Sequence, residues 1–284
     1  MLECVPNVSE GRDPEVLRVL ERACGASLLD VHTDPDHHRS VFTLAGPGAA
    51  DAYDAARSLA RSVAEHVDVS NHSGVHPRLG ALDVVPFVAL AGRPITDAVR
   101  AAHGFASWAA TELSVPVFLY GAAHHDGRTL PQVRAGAFRA FAPDGGPDAP
   151  HPTMGAIAVG ARPPMIAVNC ELDTDDLPLA RNIAASVRER DGGLPGVRAL
   201  GFPLASVGHA QVSMNLVALD RTGLQAACDA VRDRARAAGH EVVQVELVGL
   251  LPAGELASCD DEFVAWAGLT DTQTIEGRLG GRCS

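Results

Sequence analysis

In residues 13–24 the apolar positions Val16, Leu17, Leu20 and Cys24 recur at helical spacing, behind an Asp13 able to cap and a Pro14 suited to a first turn. The pattern predicts a helix over Asp13–Cys24. Short apolar runs beside it read as strands, Leu2–Val5 before it and Leu28–Val31 and Ser40–Ala45 after it. A helix over Ala49–Val67 and a strand over Leu82–Leu90 complete a βαββαβ order. The second half repeats it with a strand at Met165–Val168, a helix after Asp175, and strands at Val197–Phe202 and Gln211–Leu219. A helix over Gly223–Ala238, with Leu224, Cys228, Val231 and Ala235 as its stripe and Thr222 as the expected cap, then leads to a strand over Glu241–Leu251.

A βαββαβ order is the split-βαβ pattern of an antiparallel sheet with helices on one face. The expected fold class is therefore α+β: two ferredoxin-like (βαββαβ) subdomains, residues 1–163 and 164–284, with a ligand cleft between them. The joining region adds a helix over Ile95–Leu113, a buried strand in "VPVFLYG", and then "RAFAPDGGPDAPHPTMGA". Its Pro, Gly and Asp residues break both helix and strand periods, so it reads as a linker or a binding loop, and residue type alone tips it towards a linker.

Composition narrows the function classes. With 46% hydrophobic and 20% charged residues the chain is of folded rather than disordered type. No apolar run reaches the roughly 20 residues a membrane span needs, and "MLECVPNVSEGR" lacks the basic and apolar regions of a signal peptide, so no membrane partner and a cytoplasmic location are expected. The formal charge is -12 and all 23 basic residues are Arg. Such a chain offers a phosphate backbone little to hold, so no nucleic-acid partner is expected. Without Lys, Schiff-base and P-loop lysine chemistry are excluded. The six cysteines form no CxxC pair and are expected to be reduced and mostly buried.

Candidate chemistry concentrates in loops. Residues 72–87 read "HSGVHPRLGALDVVPF". Gly74 and Pro77 bracket His76 and forbid a stable helix, so His72 and His76 are not the one-faced HxxxH pair that binds zinc. Rigid neighbours, Arg78 two positions on and the strand behind it favour a functional His76 at a cleft mouth over a plain surface imidazole. Pro86 argues that this strand lies at an edge or end. In "DVHTDPDHHRS", Asp34, Asp36, His37 and His38 are metal-ligand types, but adjacent histidines diverge and no ligand spacing is present, so a solvated turn and no metal are expected. His124 and His125 in "GAAHHDGR" read as a turn by the same argument. Arg39, entering a strand, is a candidate for a substrate carboxylate. Asn7, Ser9 and Glu10 precede the first helix, where they could join backbone N–H groups in holding an anion or simply cap the helix. Gln211, Ser213 and Asn215 alternate and share one strand face, either exposed or a cleft wall.

Taken in order, "ECVPNVSEGR", "DPDHHRSVFTLAG", "GVHPRLGALDVVPF", "VPVFLYG", "LPQVRAG" and "AQVSMNL" resemble the formiminotransferase family over residues 1 to 252. The resemblance implies glutamate formimidoyltransferase activity: transfer of a formimidoyl group from N-formimidoyl-L-glutamate to N5 of tetrahydrofolate in histidine degradation. It also implies small-molecule substrates, tetrahydrofolate as co-substrate without a metal, a homodimer, and the stand-alone form rather than the animal fusion to a cyclodeaminase. His76 of the "HPR" motif is then the catalytic imidazole. The implied folate-binding loop is Gly146, Pro147, Asp148, Ala149, Pro150, His151, Pro152, Thr153, Met154 and Gly155, which turns the linker reading into a binding loop. Asn7, Arg39, Arg78 and Gln211 are candidates for substrate contact. One position departs from the family: animal members carry an acid where this chain has His32. That keeps open another donor such as N-formylglutamate, or a folate-binding module without turnover.

Overall fold

The two βαββαβ orders become two sheets, each with its own buried apolar face. The computed structural model describes residues 1–48, 50–70, 72, 78–90, 92–204 and 207–281. The chain divides into one unit at Met1–Pro163 and a second at Pro164–Ser284.

The first unit runs β1 (Leu2–Cys4), β2 (Asn7–Val8), α1 (Pro14–Cys24), β3 (Leu28–Asp34), β4 (Arg39–Ala45), α2 (Asp51–His66), β5 (Leu82–Ala89), α3 (Ile95–Glu112), β6 (Val117–Gly121), α4 (Leu130–Gly136) and β7 (Ile157–Arg162). α1 forms as its pattern predicts, with the Asp13 carboxylate accepting from the N–H groups of Glu15 and Val16 and with Leu20 and Cys24 buried. β1 and β2 together lie between β4 and β5, with β3 outside β4, all antiparallel. This is the ferredoxin-like core. One face packs α1, α2 and α3 through Leu20, Phe42, Leu59, Phe87 and Phe105. Each such buried side chain stabilises the unit by roughly 1.5–3 kcal/mol.

Three features depart from the pattern-based expectation. β3 continues past Val31 to Asp34, because His32, Thr33 and Asp34 pair with Val41, Ser40 and Arg39; the turn shrinks to residues 35–38. β5 is a central strand although it contains Pro86: the missing N–H falls where the neighbouring ladder is itself interrupted between β1 and β2, and the Pro86 carbonyl accepts from Val5 N–H (3.1 Å). Beyond β5 the sheet gains β7 and β6 in parallel, so the first unit exceeds a plain βαββαβ repeat. On the opposite face α4 contributes Val133 to a small cluster with Val84, Phe118 and Tyr120.

The second unit runs β8 (Ile166–Leu172), α5 (Leu177–Val187), β9 (Val197–Leu204), β10 (His209–Leu216), α6 (Leu224–Ala237) and β11 (Val242–Val248), in the antiparallel order β11-β8-β10-β9. β8 is longer than Met165–Val168 because Cys170 and Leu172 continue the core face while Asn169 and Glu171 alternate with them. Thr222 does not cap α6. The cap position is Gly223, which has no side chain to offer, and the Leu224 N–H donates instead to Glu255 Oε1 (2.6 Å) of α7 (Ala253–Ala257). With α8 (Asp261–Ala267) and α9 (Ile275–Gly280), α7 closes this unit, adding Leu256, Phe263 and Leu269 to its core. Among the described residues, no helix is long and apolar enough to cross a membrane.

Candidate active site

β5 and β7 are parallel neighbours that pair from Val84 and Ala158 onward, so the connections leading into them emerge at the same end of the sheet. Three backbone hydrogen bonds join these connections: Val69 N–H to the Thr153 carbonyl (2.9 Å), Ala81 N–H to the Met154 carbonyl (2.9 Å), and Ala156 N–H to the Leu79 carbonyl (3.0 Å). The approach is tight enough to require glycine. A Cβ on Gly80 would run into the Met154 and Ala156 carbonyl oxygens, and Gly155 opposite it sits at φ +66°. Within the Gly146–Gly155 stretch, His151 and Gly155 exchange both backbone hydrogen bonds, and His151 Nδ1 accepts from the N–H groups of Met154 (3.1 Å) and Thr153 (3.3 Å). Met154 is buried. At the other end of the stretch Val117 N–H holds the Gly145 carbonyl, and Gly146 takes φ +84°. His76 itself, with residues 73–75 and Pro77, lies outside the described residues.

A charged cluster lies beside this junction. The buried Asp83 carboxylate of β5 accepts from Leu79 N–H (2.5 Å) with one oxygen and from Arg134 Nη2 of α4 (2.6 Å) with the other. Arg39 at the start of β4 lies near Asp83 and Asp34 and also near Arg134 and Arg78; burial lowers its pKa. Burial pushes the Asp34 carboxyl up, but hydrogen bonds from the His37 ring and the His37 N–H (2.9 Å) outweigh it and hold the group at about 2. Arg78 places Nη1 2.6 Å from His72 Nε2 and donates from Nη2 to the His37 carbonyl (3.4 Å).

The N-terminal "NVSEGR" stretch folds against the same cluster. Ser9 Oγ donates to the Gly80 carbonyl (2.8 Å) and Ser40 Oγ to the Glu10 carbonyl (2.6 Å). Glu10 Oε1 accepts from the N–H groups of Gly11, Arg12 and Asp13 at 2.7–2.9 Å. Of the two expectations for this stretch, capping is what the structure shows: the chain's own carboxylate occupies the amides where an anionic ligand could have sat. Sequence reading alone does not single out Arg134 and Asp83 as participants. A signal existed for Asp83, the lone charge in an otherwise apolar "ALDVVPFVAL" run.

The remaining candidates fall elsewhere. Asn7 sits on β2 opposite Val41 and Val84 and donates from Nδ2 to the Val5 carbonyl (3.2 Å), on the strand next to Asp83's. Gln211 belongs to the second unit, on β10 opposite Glu171 and Phe202; it is buried, and its Nε2 has no hydrogen-bond partner among the described residues. His32 lies on β3 opposite Val41. His124, His125 and Asp126 bring ligand-type atoms within 4.8 Å of one another, but they are consecutive in one turn, as expected for "GAAHHDGR". His124 Nδ1 already accepts from Asp126 N–H (3.2 Å), and His125 is 79% exposed.

The site thus joins a glycine-hinged loop to a cluster of arginines, groups able to hold carboxylates. Residues 1–162 match the family described as formiminotransferase domain, N-terminal subdomain, and residues 167–275 match formiminotransferase domain. The chain is 37% identical over 279 residues to a glutamate formimidoyltransferase of Streptococcus pyogenes serotype M1, covering 93% of each protein. A glutamate formimidoyltransferase of Thermoplasma acidophilum is 34% identical over 296 residues, covering 98% of this chain and 97% of that protein. The formimidoyltransferase-cyclodeaminase of Sus scrofa is 39% identical over 273 residues, where this chain spans 50% of the longer protein. With family matches over both of its units, the chain belongs to the formiminotransferase family.

Proposed function

We propose that this protein transfers a formimidoyl group from N-formimidoyl-L-glutamate to N5 of tetrahydrofolate, giving 5-formimidoyltetrahydrofolate and L-glutamate. The observation that supports the reading is the junction between the connection into β5 and the loop before β7. Val69, Leu79 and Ala81 are hydrogen-bonded to residues 153–156, so the connection into β5 and the end of the Gly146–Gly155 loop meet.

In the reaction, the N5 lone pair attacks the amidinium carbon and N5 gives up its proton to His76. The bond from that carbon to the glutamate nitrogen then breaks, and His76 returns the proton to the departing amine. One imidazole of near-neutral pKa serves both transfers. The amidinium carbon is electrophilic as it stands, so this sequence needs no metal. The Gly146–Gly155 loop holds the folate, and Arg39 and Arg78 supply the positive potential that attracts substrate carboxylates, with Asn7 and Gln211 as further contacts. The family resemblance extends the proposal to a cytoplasmic homodimer, which sedimentation of the purified protein checks.

Single-turnover transfer from N-formimidoyl-L-glutamate to tetrahydrofolate, followed at the folate product in wild type and His76→Ala, tests the reading. Transfer that collapses in the variant while folate still binds supports it. Tight folate binding without transfer rejects this donor and leaves N-formylglutamate, which His32 in place of an acid favours, or a binding module.

A further inference from the structure

Each unit lays an arginine of its second βαββαβ helix over a tryptophan from a later helix, but the two arrangements are not equally complete. In the second unit the Arg232 guanidinium of α6 lies 4.4 Å from the ring centre of Trp266 of α8, and its Nη2 donates to Asp229 Oδ1 (2.6 Å). A carboxylate thus balances the cation on that indole. In the first unit two guanidinium groups of α2 share one indole, Arg57 at 4.8 Å and Arg61 at 5.0 Å from the ring centre of Trp108 of α3. Neither arginine has an ion-pair partner among the described residues, although Asp54 and Glu65 lie within about one turn of them on α2.

Acceptors are missing here as well as negative charge. Trp108 is only 9% exposed, and its Nε1 is buried with no hydrogen-bond partner among the described residues, as is Arg57 Nε. Arg232 Nε shares that shortage, so what sets the first unit apart is the orphaned indole N–H and the second, unbalanced cation. A buried donor without an acceptor is destabilising, and like charges one turn apart on a helix repel. The indole face offsets part of the charge but accepts no hydrogen bond from its own N–H. A single group supplies everything that is lacking: an anion with several acceptor oxygens. We infer that Arg57, Arg61 and Trp108 form a binding site for an oxyanion, the carboxylate or phosphate group of a small molecule, at the α2–α3 surface of the first unit. Arg61 is exposed and Arg57 half-buried, so the anion arrives from solvent and bridges the two guanidinium groups. Parting of the arginine side chains around it then admits an oxygen to Trp108 Nε1. The transfer proposed above uses none of these three residues, so binding here is independent of turnover.

Nitrogen-15 NMR of the full chain tests this, because its two tryptophans give two indole N–H resonances. Trp266→Phe removes one of them and so assigns both. Inorganic phosphate and succinate are titrated separately, with chloride holding the ionic strength constant. The Trp108 resonance is expected to move to saturation with at least one of the two anions, while that of Trp266, whose arginine already holds Asp229, stays in place. Arg57→Gln and Arg61→Gln should each weaken that binding about tenfold, the loss of one charge-assisted hydrogen bond. Should Arg57→Gln fail to fold, Arg61→Gln, at an exposed position, carries the comparison alone. A response to phosphate only assigns a phosphate-bearing ligand, a response to succinate only assigns a carboxylate, and a response to both supports the shared chemistry. The proposal is overturned if neither anion moves the Trp108 resonance, if chloride moves it as far, if both indoles move together, or if Arg61→Gln binds as wild type does. A chain that shows this titration but transfers no formimidoyl group rejects the functional reading and leaves the oxyanion site standing.

Discussion

Both units carry the same βαββαβ order, and within that order they differ most in a single connection. Between its second helix and fourth strand the second unit needs only residues 238–241, whereas the first unit spends residues 67–81. The short version is a plain reversal, with Ala238 and Gly239 N–H groups closing the end of α6. The long version holds His72, His76 and Arg78 and is tied to the Gly146–Gly155 loop. On the proposed reading the scaffold is shared and the chemistry is local, a repeat that carries its function on one extended loop.

The sharpest way to break this comparison is to remove the chemistry and leave the scaffold. His76→Ala is expected to lower single-turnover transfer by about 10²–10⁴-fold, the range for a general acid–base group, with an unchanged melting curve. Next comes the charge that anchors the long connection. Asp83→Ala removes the buried acceptor of Arg134 Nη2 and of Leu79 N–H, and should cost about 3–5 kcal/mol in a urea titration of the first unit.

A smaller effect should be pH-dependent. Asp34 has its carboxyl held at about 2 against an ordinary value of 3.8, so its stabilisation is present above the ordinary value and lost as pH falls through about 2. Asp34→Asn should therefore cost about 2 kcal/mol at neutral pH and almost nothing near pH 2, read by urea titrations at the two pH values. The smallest difference sharpens the comparison of helix starts. Asp13→Ala removes a cap from within α1's own sequence, and Glu255→Ala removes one supplied to α6 from a distant helix. Each should cost about 1 kcal/mol by chemical denaturation.

These pairs also mark where sequence reading succeeds. Asp13, Pro14 and the stripe through Leu20 specify α1 locally, and the alternation along Gln211–Leu216 specifies β10, so both repeats and the α+β class are readable without coordinates. β7 is not, because "IAVGAR" is short and rich in small residues, and it becomes a strand only between β5 and β6. The same holds for polar partners. Glu255 reaches Leu224 across 31 positions and Arg134 reaches Asp83 across 51, and no periodicity announces either meeting. Motif order brought attention to the loops at 76 and 146–155, while the arginine-rich surroundings needed the fold to bring β4, β5 and α4 together.

The parallel pairing of β5 with β7 has a kinetic consequence. Antiparallel hairpins such as β3–β4 close locally and fast, but Val84 can meet Ala158 only after α3, β6 and α4 have been threaded between them. The entropy of that long closure is recovered only when the sheet is complete. The junction at Leu79 and Ala156 is thus expected to mature after the ferredoxin-like core has formed. In hydrogen exchange the amides of Ala81 and Ala156 should then open before those of β4, so that the first unit gives up its loop junction while its sheet still stands.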